Sequence, residues 1–149
     1  MMKRKLLTIL LVEDNESDIM SFKRAMEMKN LSNPVHVVRD GEECLDYLHR
    51  RGKHSDPVSS PLPDIVILDV NMPRMGGFKV LKHLRDSDRF RRIPIIILTT
   101  SSHEADVIRA YELYANAYVV KPTGLNNLSN TLKDIVLFWE RAAIPELEP

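Results

Sequence analysis

The chain has 149 residues, of which 21 are Lys or Arg and 21 are Asp or Glu, so its formal net charge is zero. This length is typical of one domain with a sizeable core and leaves little room for a second folded domain, while the balanced charge argues against binding to DNA or to an anionic membrane surface. The single cysteine, Cys44, has no partner for an internal disulfide, which favours a reducing, cytoplasmic location.

The first third of the chain predicts two strand–helix pairs. Residues 6–12 form a nearly continuous apolar run, as in a central parallel strand buried on both faces, and this run is too short to span a membrane. Asn15 follows as an N-cap, with apolar residues at helical spacing behind it. Residues 35–38 indicate a second strand, and a capping box led by Asp40 opens a helix in which Cys44 fills the core.

The rest of the chain repeats the pattern three times. Residues 53–63 contain three prolines, and we interpret them as an exposed surface insertion, with contact to a partner as the alternative. Apolar runs at 64–70, 94–98 and 117–120 predict the remaining strands, each followed by helical spacing. Five strands alternating with five helices predict an α/β fold with a parallel sheet and helices on both faces.

The last two helices carry more apolar residues than one core-facing stripe needs. Ser101 with Glu104 indicates a capping box before the fourth helix, whose predicted inward residues are Val107, Ile108 and Tyr111. The last helix starts at Leu125, and its predicted core seam is Leu128, Leu132, Ile135 and Trp139. Residues 136–138 fall outside this seam, which favours a partner or self-association surface over a helix wedged deeper into the core.

Charged and hydroxyl side chains stand at the carboxyl ends of four predicted strands. They are Glu13 and Asp14, Asp69, Thr99, and Lys121 before Pro122. Parallel strands deliver these ends to one edge of the sheet, so we expect them to share one crevice. Clustered carboxylates need a cation, and an oxygen-rich site with open positions fits Mg²⁺ better than Ca²⁺. We predict Asp14 and Asp69 as direct ligands, the backbone carbonyl of Asn71 as a third, and Glu13 acting through water.

This arrangement favours phosphoryl transfer to Asp69. A phosphoryl group approaching Asp69 would find the metal on one side and the Lys121 ammonium and the Thr99 hydroxyl on the other. The carboxylate would attack phosphorus and become an acyl phosphate. Each residue alone has a structural explanation, as a cap, a solvated loop lysine or a strand threonine, but their coincidence at four strand ends favours the functional interpretation.

Four segments resemble the receiver domain of bacterial two-component response regulators. They are residues 11–15 (LVEDN), 67–77 (ILDVNMPRMGG), 97–101 (ILTTS) and 118–122 (YVVKP). The resemblance covers residues 6–143 and implies a receiver domain there. We expect residues 144–149, which contain Pro145 and Pro149, to form a frayed tail, and from the length of the chain we expect no separate output domain. The resemblance also implies a doubly wound, flavodoxin-like sheet with strand order 2-1-3-4-5. The length, the long loop before the third strand and Phe138-Trp139 further resemble single-domain regulators that serve cyanobacterial-type phytochrome kinases.

The resemblance assigns roles by position. It implies that Asp69 takes a phosphoryl group from a phosphohistidine on a sensor histidine kinase, with Mg²⁺ bound. Thr99 and Tyr118 would be the switch pair, in which the hydroxyl moves toward the phosphoryl group and the aromatic ring rotates into the vacated space. The bond between Lys121 and Pro122 would be cis, an isomer that is accessible at X–Pro bonds.

Two positions depart from the commonest pattern of the receiver family. Gly76 stands where an Asp often precedes Gly77, which we expect to alter only the turn. Thr100 stands where a smaller Ala is frequent, and we expect it to restrict access to the phosphoryl group. The second departure leaves the dephosphorylation rate open.

The fourth helix, fifth strand and fifth helix form the predicted output face. Tyr118 and the apolar excess near Trp139 both fall on it. We therefore expect homodimerisation through this face that responds to phosphorylation.

Several alternatives share these residues. A metal-dependent phosphohydrolase also uses an aspartyl nucleophile, but such enzymes usually place a second Asp two residues later, where this chain has Asn71. A phosphorylation-independent interaction module on the same fold is a second alternative. A relay protein that passes the phosphate onward and a phosphate sink are further ones, which the sequence does not separate from an effector because the chemistry at Asp69 is identical.

Overall fold

The structure, a computed structural model, describes residues 6–72 and 74–147. Its elements in chain order are β1 (Ile9–Val12), α1 (Glu16–Met28), β2 (Val35–Val38), α2 (Gly41–Leu48), a 3-10 turn (Gly52–His54), β3 (Ile65–Leu68), α3 (Gly77–Asp86), β4 (Ile95–Thr99), α4 (Glu104–Glu112), β5 (Ala117–Val120) and α5 (Leu125–Arg141). Pro73 of the loop after the third strand and the last two residues of the predicted tail lie outside the described residues. Within the described ranges, no helix is long and apolar enough to cross a membrane.

The five strands form one parallel sheet in the order β2-β1-β3-β4-β5. In the register of the central strands, Val12 of β1 stands beside Val38 of β2 and Leu68 of β3. The predicted fold class and strand order are confirmed. The strands are shorter than the apolar runs at 6–12 and 64–70, because buried positions such as Val70 continue past the last paired residue.

Alternate residues of the central strands feed two cores, one on each face of the sheet. Leu10 and Val12 pack with residues of α2 and α3, together with Ala110 of α4. Ile9 and Leu11 pack with residues of α1 and α5. Both faces are therefore covered by helices, as strands buried on both sides require, and Cys44 lies fully buried in the first core as predicted.

The structure corrects the sequence analysis at α4. The helix begins at Glu104 with His103 as an N-cap that makes no side-chain capping bond, and the Ser101 hydroxyl donates instead to Asp106 Oδ2 at 2.6 Å. The inward prediction is also wrong for Ile108 and Tyr111, which are about half exposed (49% and 50%). The helix lies at the edge of the sheet, where the hydroxyl of Tyr111 accepts the backbone N–H of Tyr118 in the edge strand β5 at 3.2 Å. Only its small residue Ala110 is fully buried.

The buried stripe of α5 is shifted from the predicted seam. Its fully buried residues are Ser129, Leu132 and Val136, and the predicted seam residues Leu128, Ile135 and Trp139 are only partly buried at the margin of the core. Val136 therefore belongs to the core, contrary to the prediction. Phe138 is 63% exposed, which agrees with the prediction that part of a second face of this helix is apolar and exposed.

The loop at residues 53–63 is anchored rather than wholly exposed. The Tyr47 hydroxyl donates to the carbonyl of Pro61 at 2.6 Å. The ring of His54 bridges two side chains, with Nδ1 3.0 Å from Ser60 Oγ and Nε2 3.0 Å from Glu43 Oε2. Ser60 is buried, so these contacts hold the returning half of the loop against α2.

The expectation of a frayed tail is wrong for residues 144–147. Ile144 packs against the core beneath α1 and α5, and Leu147 packs against the core on the opposite face. The segment packs against the domain because burial removes the apolar surface of Ile144 and Leu147 from water.

Candidate functional site

The carboxyl edge of the sheet brings the predicted residues together. Glu13 follows β1, Asp69 follows β3, Thr99 ends β4 and Lys121 follows β5. Backbone hydrogen bonds that continue the sheet fix these positions: Glu13 N donates to Val38 O at 3.0 Å, Asp69 N to Val12 O at 3.0 Å, and Lys121 N to Thr99 O at 2.7 Å. Because the hydrogen bonds of the sheet continue past the strand ends, the backbone at Glu13, Asp69 and Lys121 is held in place.

Asp69 lies at the centre of this edge with both carboxylate oxygens engaged. Its side chain is about 10% exposed. Oδ1 accepts the Thr99 hydroxyl at 2.8 Å and the backbone N–H of Asn71 at 3.0 Å. Oδ2 accepts the ammonium of Lys121 at 3.3 Å. A carboxylate held by three donors is oriented in one direction, which a nucleophile needs.

Lys121 carries the positive charge of the site. Its Nζ donates to Glu13 Oε1, to Asp18 Oδ2 at 3.0 Å and to Asp69 Oδ2 at 3.3 Å, and its side chain is 14% exposed. Asp18 was missed by the sequence analysis, which considered only strand ends. Its position three residues after the N-cap Asn15 places it in the first turn of α1, on the same side of the sheet as the strand ends.

The pKa shifts follow from burial and from these contacts. Burial, together with a hydrogen bond to Asp69, raises the pKa of Glu13 to about 7. Burial alone would raise the pKa of Asp69, but hydrogen bonds from Glu13, Asn71 and Thr99 and the charge of Lys121 hold it below its usual value. Burial opposes the charge of Lys121, yet its acidic neighbours raise the pKa above the usual value. Asp69 is thus the ionised carboxylate and Lys121 the cation at neutral pH.

Three carboxylates form a group that fits a divalent cation. Oxygens of Glu13, Asp14 and Asp69 lie within 4.8 Å of one another. As a carboxylate, Glu13 has one buried oxygen, Oε2, without a hydrogen-bond partner. Such an atom costs free energy, which either a proton or a cation relieves. Hard oxygen ligands and the exposed side chain of Asp14 suit an ion that keeps water ligands.

The predicted switch residues contact Asp69 and the loop after β4. The Thr99 hydroxyl points to Asp69. Tyr118 is partly buried against the first core, and its hydroxyl donates to the carbonyl of Ser101 at 2.8 Å. The end of β4 therefore contacts Asp69 through Thr99, and the loop that follows it contacts Tyr118 through Ser101.

The bond between Lys121 and Pro122 is trans, since no peptide bond in the described residues is cis. The prediction of a cis bond is wrong here. The trans isomer of an X–Pro bond is favoured by about 0.5–1 kcal/mol, and with it Lys121 still reaches all three of its carboxylate partners.

A cavity of about 340 Å³ opens beside Asp69 between α1 and α5. Asp18, Thr100 and Lys121 are among its polar lining residues, and Phe22 and Leu128 are among its apolar ones. Thr100 is exposed and lines this route to Asp69.

Comparison with known proteins supports one family. Residues 9–133 match the response regulator receiver domain. The probable methanogenesis regulatory protein FilR2 of Methanothrix harundinacea is 38% identical over 133 residues, which cover 88% of this chain and 82% of that protein.

Two cyanobacterial regulators have similar sequences and structures. The phosphorylated cyanobacterial phytochrome response regulator RcpA superposes with a TM-score of 0.86 at 34% identity, covering 95% of this chain and all of that chain (100%). Response regulator Rcp1 of Synechocystis is 33% identical over 92% of each chain. Its Mn²⁺-bound crystal structure gives a TM-score of 0.83, with 94% of this chain and 99% of that chain covered. The protein therefore belongs to the response regulator receiver domain family.

Proposed function

We propose that this receiver domain takes a phosphoryl group from the phosphohistidine of a sensor histidine kinase onto Asp69 in a Mg²⁺-dependent reaction, and signals by binding another protein. The observation that carries the proposal is the ionised, buried carboxylate of Asp69, with Thr99 on one oxygen and Lys121 on the other. The phytochrome response regulator RcpA among its relatives supports a phytochrome-like kinase as the donor.

The chain's own residues account for most of the transfer. A carboxylate oxygen of Asp69 attacks phosphorus, the bond between phosphorus and the histidine nitrogen breaks, and its electron pair stays on the imidazole. The Lys121 ammonium and the Thr99 hydroxyl lie where they can donate to phosphoryl oxygens as negative charge shifts onto them. A Mg²⁺ ion held by Glu13, Asp14, Asp69 and the Asn71 carbonyl would supply further neutralisation of that charge.

The proposal is tested by transfer of radiolabel from a phosphorylated kinase. Candidate phytochrome-like kinases, labelled with ³²P on histidine, are mixed with the wild type and with Asp69→Asn, which keeps the shape of the side chain and removes the nucleophile. Label should reach the wild type alone and should stop when EDTA removes divalent ions. Asp64→Asn is the matched control, because this carboxylate binds Thr8 N at the opposite end of the sheet. Transfer of label to Asp69→Asn would contradict the proposal.

We further propose that the phosphorylated protein forms a homodimer through α4, β5 and α5. This face carries exposed apolar side chains, namely Ile108 (49%), Tyr111 (50%), Val120 (44%) and Phe138 (63%). Several exposed apolar side chains on one face are typical of protein interfaces. Tyr118 connects the face to the site through its contact with Ser101.

Sedimentation with and without beryllofluoride and Mg²⁺ tests the dimer. The mass should double on addition, and Phe138→Glu should prevent the doubling. Met20→Glu is the matched control, because Met20 is equally exposed (64%) but lies on α1. An unchanged mass of the wild type would show that the output takes another form.

A further inference from the structure

We propose that Asp18 is a positioning residue for phosphoryl transfer, which holds the Lys121 ammonium beside Asp69. This inference rests on the proposed function of Asp69. Asp18 Oδ2 lies 3.0 Å from Lys121 Nζ. The other two partners of the ammonium, Glu13 and Asp69, stand at strand ends, whereas Asp18 approaches from the first turn of α1.

The three contacts of Lys121 use all three of its N–H donors. The contact with Asp69 Oδ2, at 3.3 Å, is the longest of the three and lies outside the usual range for a charged hydrogen bond. It is therefore the contact that a phosphoryl oxygen can replace with least loss. Asp18 and Glu13 then keep the ammonium in place while its third N–H turns from Asp69 to the incoming group.

Asp18 is suited to this task because its carboxylate has no second partner over the part of the chain that the structure describes. It is outside the carboxylate group formed by Glu13, Asp14 and Asp69. Its backbone N–H donates to the N-cap side chain of Asn15 at 3.0 Å, which fixes the start of the helix. The side chain is thus carried by a rigid element and directed at one cation.

Without Asp18, the ammonium would lose a restraint on the side that faces the cavity. Lys121 and Asp18 both line the cavity between α1 and α5, and a lysine has a flexible four-carbon stem. Displacement of a reacting group by about 1 Å can cost about 100-fold in rate. Because Glu13 would still hold Lys121, we expect a smaller loss for Asp18→Ala, of about 10-fold.

The experiment measures phosphorylation by phosphoramidate in the presence of Mg²⁺, which removes the kinase from the reaction. The nitrogen of phosphoramidate is already protonated, so when Asp69 attacks phosphorus the P–N bond breaks, its electron pair stays on nitrogen, and neutral ammonia departs. Asp18→Ala should be slowed about 10-fold, and Asp18→Asn should recover part of the rate because its amide oxygen still accepts a hydrogen bond. Glu16→Gln is the matched control, since it also removes a first-turn acid of α1 but pairs with Arg39 rather than Lys121.

A second measurement separates positioning from a structural effect. In the unphosphorylated protein, the ¹⁵N resonance of the Lys121 ammonium, assigned with Lys121→Arg, should be visible because the buried group exchanges its protons slowly. It should shift or broaden in Asp18→Ala and stay unchanged in Glu16→Gln.

Each outcome bears on the inference. A wild-type rate in Asp18→Ala overturns the positioning role alone, and so does a slow rate with an unchanged ammonium resonance, because Asp18 would then act otherwise than through Lys121. A wild type that takes no phosphoryl group overturns the proposed function of Asp69 and this role with it. Slow transfer together with an altered resonance supports the role.

Discussion

Replacing Gly77 with alanine should destabilise the domain and disturb the site, because the first residue of α3 lies against the backbone that carries Asp69. A Cβ at Gly77 would stand 2.4 Å from the carbonyl oxygen of Asp69 and 2.7 Å from the Cα of Val70. Both neighbours are backbone atoms at the end of the buried strand β3, so neither can rotate away.

The size of the effect follows from this overlap. Non-bonded carbon atoms pack best at a separation of about 3.5–4.0 Å. The start of α3 would therefore have to move away from the backbone of Asp69 and Val70 by roughly 1 Å. Overpacking of this kind costs about 1–3 kcal/mol, and we expect the upper half of that range because the obstacle is backbone. For a domain of this length, 2–3 kcal/mol corresponds to a fall in Tm of about 4–12 °C.

Urea denaturation followed by circular dichroism measures the change, and the neighbouring glycine provides the control. A Cβ at Gly76 would meet its nearest neighbour, Val70 O, at 3.8 Å, which is an ordinary contact. Its φ of −69° also suits any residue. Gly76→Ala should therefore stay within about 0.5 kcal/mol of the wild type. Equal unfolding midpoints for the two variants would refute the steric argument.

Three further predictions concern stability. Gly76→Asp should raise the free energy of unfolding by a few tenths to about 1 kcal/mol in urea titrations, because the N-cap of α3 has no side-chain acceptor; a loss would mean that the carboxylate cannot reach the helix N–H groups. Asn15→Ala should cost about 1 kcal/mol by the same assay, since it removes the acceptor for Asp18 N, and no change would show that solvent replaces the cap. Burial raises the pKa of the Cys44 thiol to about 12. The unfolded thiol ionises near pH 8.5, so its contribution to stability is complete below that pH and falls by about 1 to 2 kcal/mol between pH 8 and 10. The same decline in Cys44→Ala would contradict this assignment.

The sheet and most of the site could be predicted because parallel topology converts a position in the sequence into a position in space. A residue that follows a buried apolar run lies at the carboxyl edge, whichever strand carries it. Glu13, Asp69, Thr99 and Lys121 come from four strands and meet there for that reason. The N-caps Asn15 and Asp40 could also be predicted from the sequence, and in the structure the side chain of each accepts the backbone N–H of the residue three positions later.

What the sequence did not predict depends on how helices sit against the sheet. Helical spacing identifies an apolar stripe but not its depth, so Ile108 and Tyr111 of α4 were expected inside although the helix rests on an edge strand. In α5, stripes one residue apart differ by about 100° of rotation, and only packing against α1 selects the one that contains Val136. Asp18 was missed because a helix side chain reaches the site only when the helix has been placed.

The placement of the charges explains why the site is built on strands that are buried along their whole length. Three carboxylates, those of Glu13, Asp18 and Asp69, contact the ammonium of Lys121. A fourth, that of Asp14, lies beside Glu13 and Asp69. Gathering like charges in a partly buried site costs free energy, and the pKa of Glu13 is raised chiefly by burial and further by its hydrogen bond to Asp69 and by the charge of that neighbour. The strands β1, β3 and β4 that hold the acids and Thr99 are buried along their whole length, so the backbone cannot relax to separate them. The excess negative charge can therefore be relieved only by something that enters the site, a proton or a cation, which makes the rigidity of the central strands a condition for binding one.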